Sequence, residues 1–535
     1  MYNVEPQGMI YLCKTPLEND YKNQLTFTNS VSQATYFNTT VLKTFSDYTY
    51  QRHDGSVKVG ANIDDIIKCN YMFYRNVGFS DKIYYCFITD MQYVNENCTL
   101  ITFETDVFQT YQFDINYKMC FTEREHVNDD TAGNHTVPEG LELGDYVLND
   151  RVENFKADPS EYVICMGVTE LPDESTPYNN NRVYNSIYGG LYYLGFADAT
   201  NCTNAIKIYD GLGKSNAIIS LFMIPNSIES YTDGINVKWT GTKGETTITS
   251  DLKYLASSEL SDIIGTINIE EPNKVGNNYI PKNNKLFTYP YNFFNITNNS
   301  GITESFKYED FAYDPVIGKK SIALRVESSL TPGMSIKAIP LFYKNENINY
   351  NFGIVGGKLP VCSYNSDVYQ NWLRQNGLNT VFNLIGGGIS VAGGIGSGSV
   401  SGALSGITNI YNTLHQVTLV DMTPNQAKGN TNAGDINFSN NSSGLFSVYK
   451  MSIKEEYAKI IDDYFTMFGY KVNKLKIPNI TGRTNWNYVK TIECNFDGDI
   501  PQSHLSIIRN MFNNGVTLWH NPNTIYNYNL SNNII

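Results

Sequence analysis

What this chain lacks narrows its function more than what it carries. It has 9 cysteines, at positions 13, 69, 86, 98, 120, 165, 202, 362 and 494, yet no Cys-x-x-Cys pair. That spacing excludes a zinc ribbon and a thioredoxin-like redox motif. Six histidines occur without a His-x-x-x-His pair, so no metal site is written. There is no Gly-x-Ser-x-Gly elbow, and the glycines at 386–388 and 393–398 never lead into Gly-Lys-Ser/Thr. Neither an α/β-hydrolase nucleophile nor a phosphate-cradling loop is therefore expected. No cofactor is implied. Basic residues are too few for a nucleic-acid surface: 39 Lys and Arg stand against 53 Asp and Glu, a net charge of −14. Phosphate binding needs clustered cations, although a surface past which DNA slides without sticking is still allowed. No run of 18 apolar residues marks an ordinary membrane helix. The first twelve residues lack the basic and apolar regions of a signal peptide, so none is expected.

What is present is aromatic and β-favouring: 40 Tyr and 27 Phe in 535 residues. Such side chains fit pleated, half-buried surfaces. The length predicts two to four domains. The odd, scattered cysteines read as buried free thiols of a protein made in a reducing cytoplasm.

Along the chain, Lys82–Tyr93 and Thr99–Glu104 alternate around a turn at Asn95–Asn97, a hairpin signature. Thr105–Tyr117 places Val107, Phe108, Tyr111 and Ile115 at helical spacing, with Glu104 and Asp106 at its start, where the helix dipole favours negative charge. Residues 151–345 hold short apolar runs between Asn, Gly and Asp clusters, as an irregular β-rich insertion would. Asp367–Leu373 has a helical pattern, and Thr423–Gly444 reads as a polar linker. Ile453–Phe468 predicts a helix closed by Gly469. Asn487–Phe496 predicts a strand. A second helix follows, capped by Asp499, with Pro501 in its first turn and Leu505, Ile508, Met511 and Phe512 buried. Gly515 ends it, and Val516–Trp519 is a last strand.

One segment stands apart. Gln375–Val420 contains no Asp, Glu, Lys or Arg, where the overall 17% would place about eight. Its core, Val381–Ile410, interleaves Gly, Ser and Ala with Leu384, Ile385, Ile389, Val391, Ile395, Val400, Leu404, Ile407 and Ile410. A linker seldom carries so many branched aliphatics. A buried core element is opposed by dense glycine, each costing about 0.5–1 kcal/mol relative to Ala inside a helix or strand. A sheltered membrane-active segment fits best. A charge at the bilayer centre costs about 2.5–3.5 kcal/mol, small residues allow close packing between copies, and the length suffices for a helical hairpin.

Two groups of residues carry a family resemblance. The first is Glu104–Thr110, Phe113–Ile115 and Arg124–Val127. The second is Gly469–Asn473, Pro478–Asn479, Asn487–Val489, Gly498–Ile500 and Asn514–His520. In order and spacing these resemble the distal tail-knob proteins of small short-tailed phages (podophages) of Gram-positive bacteria. The resemblance covers roughly the first and last 150 residues. It implies an α+β, β-rich fold: a phage tail-tube-like β-barrel domain with helix, an irregular β-rich inserted domain and a long apolar Gly-rich loop. The expected divisions are 1–150 and 446–535 as the two parts of the tube-forming domain, and 151–345 as the inserted knob domain. Residues 346–445 would hold a helix and the apolar channel-plug loop, with its core at 381–410. The resemblance further implies a non-enzymatic virion protein at the phage tail tip. It would form a homo-hexamer joined to a proximal tail tube protein, with apolar loops that plug the channel and then enter host membrane lipid while phage DNA passes unbound. The nine aliphatic residues named above are the expected plug and insertion residues.

Two other classes fit less of the chain. A receptor-binding tail fibre or spike would grip cell-wall carbohydrate through the middle region, with Tyr rings stacked on sugars. A cell-wall hydrolase would need a carboxylate pair across its substrate, for which Glu123, Glu125, Asp129 and Asp130 are the candidates.

Overall fold

In the computed structural model the described residues are 8–48, 55–76, 80–154, 162–172, 183–184, 187–188, 191–227, 231, 233–255, 261–299, 301–314, 319–329, 335–358, 361–364, 429–431 and 446–535. They fall into two compact units. The first is Met1–Gly144, Tyr279–Leu286 and Glu455–Ile535; the second is Asp145–Asn278 and Phe287–Lys454.

The first unit is built on two sheets. One is six-stranded and antiparallel, in the order Val41–Tyr48, Gly8–Cys13, Tyr71–Asn76, Ser80–Asn95, Cys98–Thr105, Ser56–Val59. Its period-2 alternation buries both faces. Tyr71, Phe73, Tyr85 and Phe87 join one apolar cluster, while Met72, Tyr74 and Cys86 join another. The long hairpin expected at 82–104 is present, with Asn95 opposite Cys98.

The second sheet is assembled from both ends of the chain. Its order is Asn23–Leu25, Val516–Trp519, Trp486–Ile492, Cys120–Glu125, Tyr470–Lys476. The first pair is parallel, with Leu25 opposite Trp519. Trp486 and Trp519 lie fully buried beside Phe37, Tyr71 and Tyr85, so one aromatic cluster joins the two sheets. The helix Ser30–Thr39 that supplies Phe37 starts at a capping box: Asn29 accepts from Ser32 N, and the Ser32 side chain reaches back. On the second sheet the helix Gln502–Asn514 buries Leu505, Ile508, Met511 and Phe512 against Val107, Phe108 and Tyr111.

Three expectations need correction. The helix after Thr105 is only Val107–Tyr111; Asp106 caps it through Gln109 N, but Glu104 stays in the preceding strand and Ile115 belongs to a short strand, Ile115–Asn116. The strand expected to reach Phe496 stops at Ile492 because Glu493 takes a left-handed φ of 53°. Pro501, not Asp499, occupies the N-cap of the last helix, with no side-chain cap. Gly515 does end that helix, at φ 91°.

The second unit contains a seven-stranded sheet. Its central strands Tyr192–Phe196, Tyr162–Val168 and Ile218–Pro225 are covered by the helix Ala199–Gly211. Sheets centred on Ala323–Ser329 with Ser335–Tyr343, and on Phe446–Ile453, share a second core that includes Phe294, Phe306, Leu324, Ile336 and Val448. The strands that open and close this unit, Tyr146–Asn154 and Phe446–Ile453, pair antiparallel along their whole length. Within the expected polar linker, Gly429–Thr431 is a short strand on Val361–Tyr364.

Candidate functional site

Carboxylates, cations and backbone meet in the first unit around the strand Cys120–Glu125. Arg124 forms an ion pair with Glu139, donates to the Gly469 carbonyl at 2.7 Å and lies over the Tyr464 ring. Lys285 forms an ion pair with the same Glu139 and donates to the Val137 carbonyl at 2.9 Å. One buried carboxylate therefore serves two buried cations, the arrangement that makes burial of charge tolerable. Burial still pushes the Lys285 ammonium below its ordinary value, against the pull of Glu139. Glu125 accepts from Lys476 and from Asn479 N at 2.7 Å.

Asp462 is the second anchor. Its helix, Glu455–Phe468, also buries Ala458, Ile461 and Phe465, so Asp462 falls on the apolar face. Its carboxylate accepts from Tyr279 Oη (2.7 Å), Lys282 N (2.8 Å), Asn283 N (3.0 Å) and Asn283 Nδ2 (2.8 Å). Asn284 N donates to Asp130 at 3.1 Å, and Tyr470 donates to the same carboxylate. The short segment 279–286 is thus fixed by side chains from residues 124–139 and 455–471.

His126 is enclosed. Its Nδ1 accepts from Tyr488 N at 2.7 Å and its Nε2 lies 3.0 Å from the Thr466 carbonyl, the tautomer of a neutral ring. Burial, then Arg483, hold its pKa at about 3. Gly469 follows the helix at φ 65°, where its own N–H bonds the Phe465 carbonyl and a side chain would run into the Glu125 backbone. Only glycine fits there.

This network answers the hydrolase alternative. Glu123 pairs with Lys490 at 2.8 Å. Asp129 caps its own turn, accepting from Thr131 N at 2.9 Å, and the hydroxyl of Thr131 and the amide of Asn134 hold its pKa low. Glu125 is buried and paired. Asp130 is raised by burial, the direction a general acid needs, but it already accepts from Tyr470 and Asn284. Each of the four carboxylates is already engaged by partners within its own unit.

Composition did not point to Glu139, Lys285 or Asp462. Asp462 had a usable signal: a lone carboxylate on the apolar stripe of a helix is buried with partners or not buried at all. The nine aliphatic residues Leu384, Ile385, Ile389, Val391, Ile395, Val400, Leu404, Ile407 and Ile410 lie outside the described residues, as does the Asp367–Leu373 pattern. Among the described residues no helix is long and apolar enough to cross a membrane, and no group of three or more His, Cys, Asp or Glu could hold a metal.

Residues 252–533 match the family model for the C-terminal domain of tail knob protein gp9 of Bacillus phage phi29. The chain belongs to this tail knob family. Residues 8–116 match a second model, the N-terminus of caudoviral major tail proteins, which covers the six-stranded sheet. The tail knob protein gp9 of Bacillus phage phi29 is 27% identical over 97% of both chains, and that of Bacillus phage B103 is 26% identical over the same shares. Among solved structures, the tail knob protein gp12 of bacteriophage C1 superposes with a TM-score of 0.66 over 99% of this chain and 100% of its own, at 14% identity, a likeness of fold. This tail knob protein is a structural component of a short-tailed phage virion and not an enzyme.

Proposed function

We propose that this tail knob protein forms a hexameric ring at the distal end of the tail, continuous with a proximal tube protein. Its apolar segments close the DNA channel and enter the host membrane during genome ejection. The observation that carries this reading is the charge-free stretch Gln375–Val420 inside a tail knob chain. A segment that must leave a protein channel for lipid has to avoid charges altogether, because each one opposes insertion by a few kcal/mol. Its glycines keep it from being a rigid core element, since ordering each residue costs about 1–2 kcal/mol. Six copies converging on one axis would supply the apolar surface that shelters it. An overall acidic chain suits a channel that repels DNA phosphates.

The test is dye release from liposomes. The intact protein should cause leakage, whereas a 381–410 deletion and Ile395→Asp should fold and leak far less. A deletion that unfolds the protein would make the stretch core. One that folds and leaks like the wild type would make it a linker. Native mass spectrometry should find six copies; three would point to a spike.

A further inference from the structure

Cys120 opens the strand Cys120–Glu125, and Cys494 lies just past the neighbouring strand Trp486–Ile492. The strands are antiparallel, with Thr122 opposite Thr491 and Phe121 opposite Ile492. One more step of that register would set Glu493, not Cys494, against Cys120. Glu493 takes its φ of 53° at this point and turns the chain. Asn513 holds the turn, its Oδ1 accepting from Thr491 Oγ1 at 2.9 Å and Cys494 N at 3.0 Å. The turn delivers Cys494 into the same apolar cluster as Cys120, beside the position that the strand register leaves next to it. They are reduced here and almost fully covered, 2% exposed at Cys120 and 7% at Cys494.

We propose that Cys120 and Cys494 are a latent redox site, which a low-molecular-weight disulfide converts to an intrachain bond tying the two ends of the chain together. The chemistry divides between the two sulfurs. The neighbouring Cys120, the Phe496 N–H and Arg509 hold the Cys494 thiol below its ordinary pKa against burial. Cys494 is also the less covered of the two, so it attacks first. Its thiolate displaces one thiolate from the small disulfide and forms a mixed disulfide. Cys120 then gives its proton to the released thiolate and attacks the Cys494 sulfur, expelling the second. Two protein thiols are oxidised and one small disulfide is reduced to two thiols. Residues on adjoining antiparallel strand ends have Cα atoms within the range of about 4.4–6.8 Å that a disulfide spans. The loop so closed spans the whole second unit, and long loops lose the most unfolded-state entropy.

The experiment uses the full-length protein, reduced, desalted and incubated with oxidised glutathione without denaturant. Non-reducing peptide mapping should recover the Cys120 and Cys494 peptides joined, with the intact mass lower by two hydrogens. The thermal midpoint should rise and return on adding a reductant. In Cys120→Ser, Cys494 should retain glutathione as a stable mixed disulfide; in Cys494→Ser, Cys120 should stay unmodified. Should a variant fold poorly, the wild-type map decides alone. The proposal is overturned if both thiols stay reduced while the half-buried Cys98 reacts, if wild-type Cys494 keeps glutathione unresolved, or if the cross-linked protein melts lower.

Discussion

Replacing Asp462 with Asn changes one oxygen and should detach segment 279–286. The native carboxylate accepts four hydrogen bonds, two at each oxygen. An amide can keep the Oδ1 pair to Asn283. Its NH2 group can donate to Tyr279 Oη, which turns to accept, but it faces the Lys282 N–H donor to donor, and that bond is lost. Hydrogen bonds to a charged group contribute about 1.5–3 kcal/mol each. The Lys282 bond is lost outright and the other three no longer end on a charge, so the total is about 3 kcal/mol. That corresponds to roughly 150-fold in the local opening equilibrium. Asp462→Ala, which loses all four bonds, should cost about 5 kcal/mol. Hydrogen exchange measured by mass spectrometry on the peptide spanning 279–286 reads the opening directly, because exchange reports local unfolding. The Lys282 and Asn283 amides should exchange on the order of 100-fold faster in Asp462→Asn. Exchange within about threefold of wild type would refute the reasoning, showing that the segment is held by something other than this carboxylate.

Three further outcomes follow from the same unit. Gly469→Ala should destabilise it by about 1–3 kcal/mol, through a left-handed backbone and a collision with the Glu125 backbone, seen as a lower urea midpoint. His126 should make the first unit less stable in acid. Its folded pKa of about 3 lies below the unfolded value of about 6.5, so the unfolded state binds the extra proton and stability falls as pH drops through that window; the fall should be smaller in His126→Gln. Asp106 works in the opposite sense. Burial raises it to about 7, so the stability it contributes is present below the unfolded value of about 3.9 and is lost as pH rises toward 7, a loss that Asp106→Asn should remove in the same urea series. Finally, the purified protein should not retain duplex DNA at moderate salt in a filter assay, given 39 basic against 53 acidic residues.

Local pattern carried much of this fold. The hairpin at 80–105, the helix 455–468 with Gly469 beyond it, and the buried face Leu505, Ile508, Met511 and Phe512 all follow from periods of 2 and 3.6. Where pattern failed, a single residue overrode it. Glu493 breaks a strand whose alternation runs on to Phe496, because a left-handed φ leaves no trace in hydrophobicity. The helix at 107 is cut to five residues because Ile115 is needed by a strand pairing with Asp497–Gly498, a partner far along the chain. Non-local pairing of this kind also hid the parallel contact of Asn23–Leu25 with Val516–Trp519. The charged anchors were less legible still. Glu139 and Lys285 read as ordinary polar loop residues, and only the fold turns them into a buried pair with Arg124.

The account's central claim, that residues 381–410 carry the membrane step of ejection, is tested most directly in the particle. Virions should be assembled with this segment deleted and, separately, with Ile395→Asp. Delivery of phage DNA into host cells is then measured beside adsorption and tail number. The account predicts normal tails and normal adsorption with DNA delivery lost. Delivery at the wild-type level from particles lacking 381–410 would contradict it.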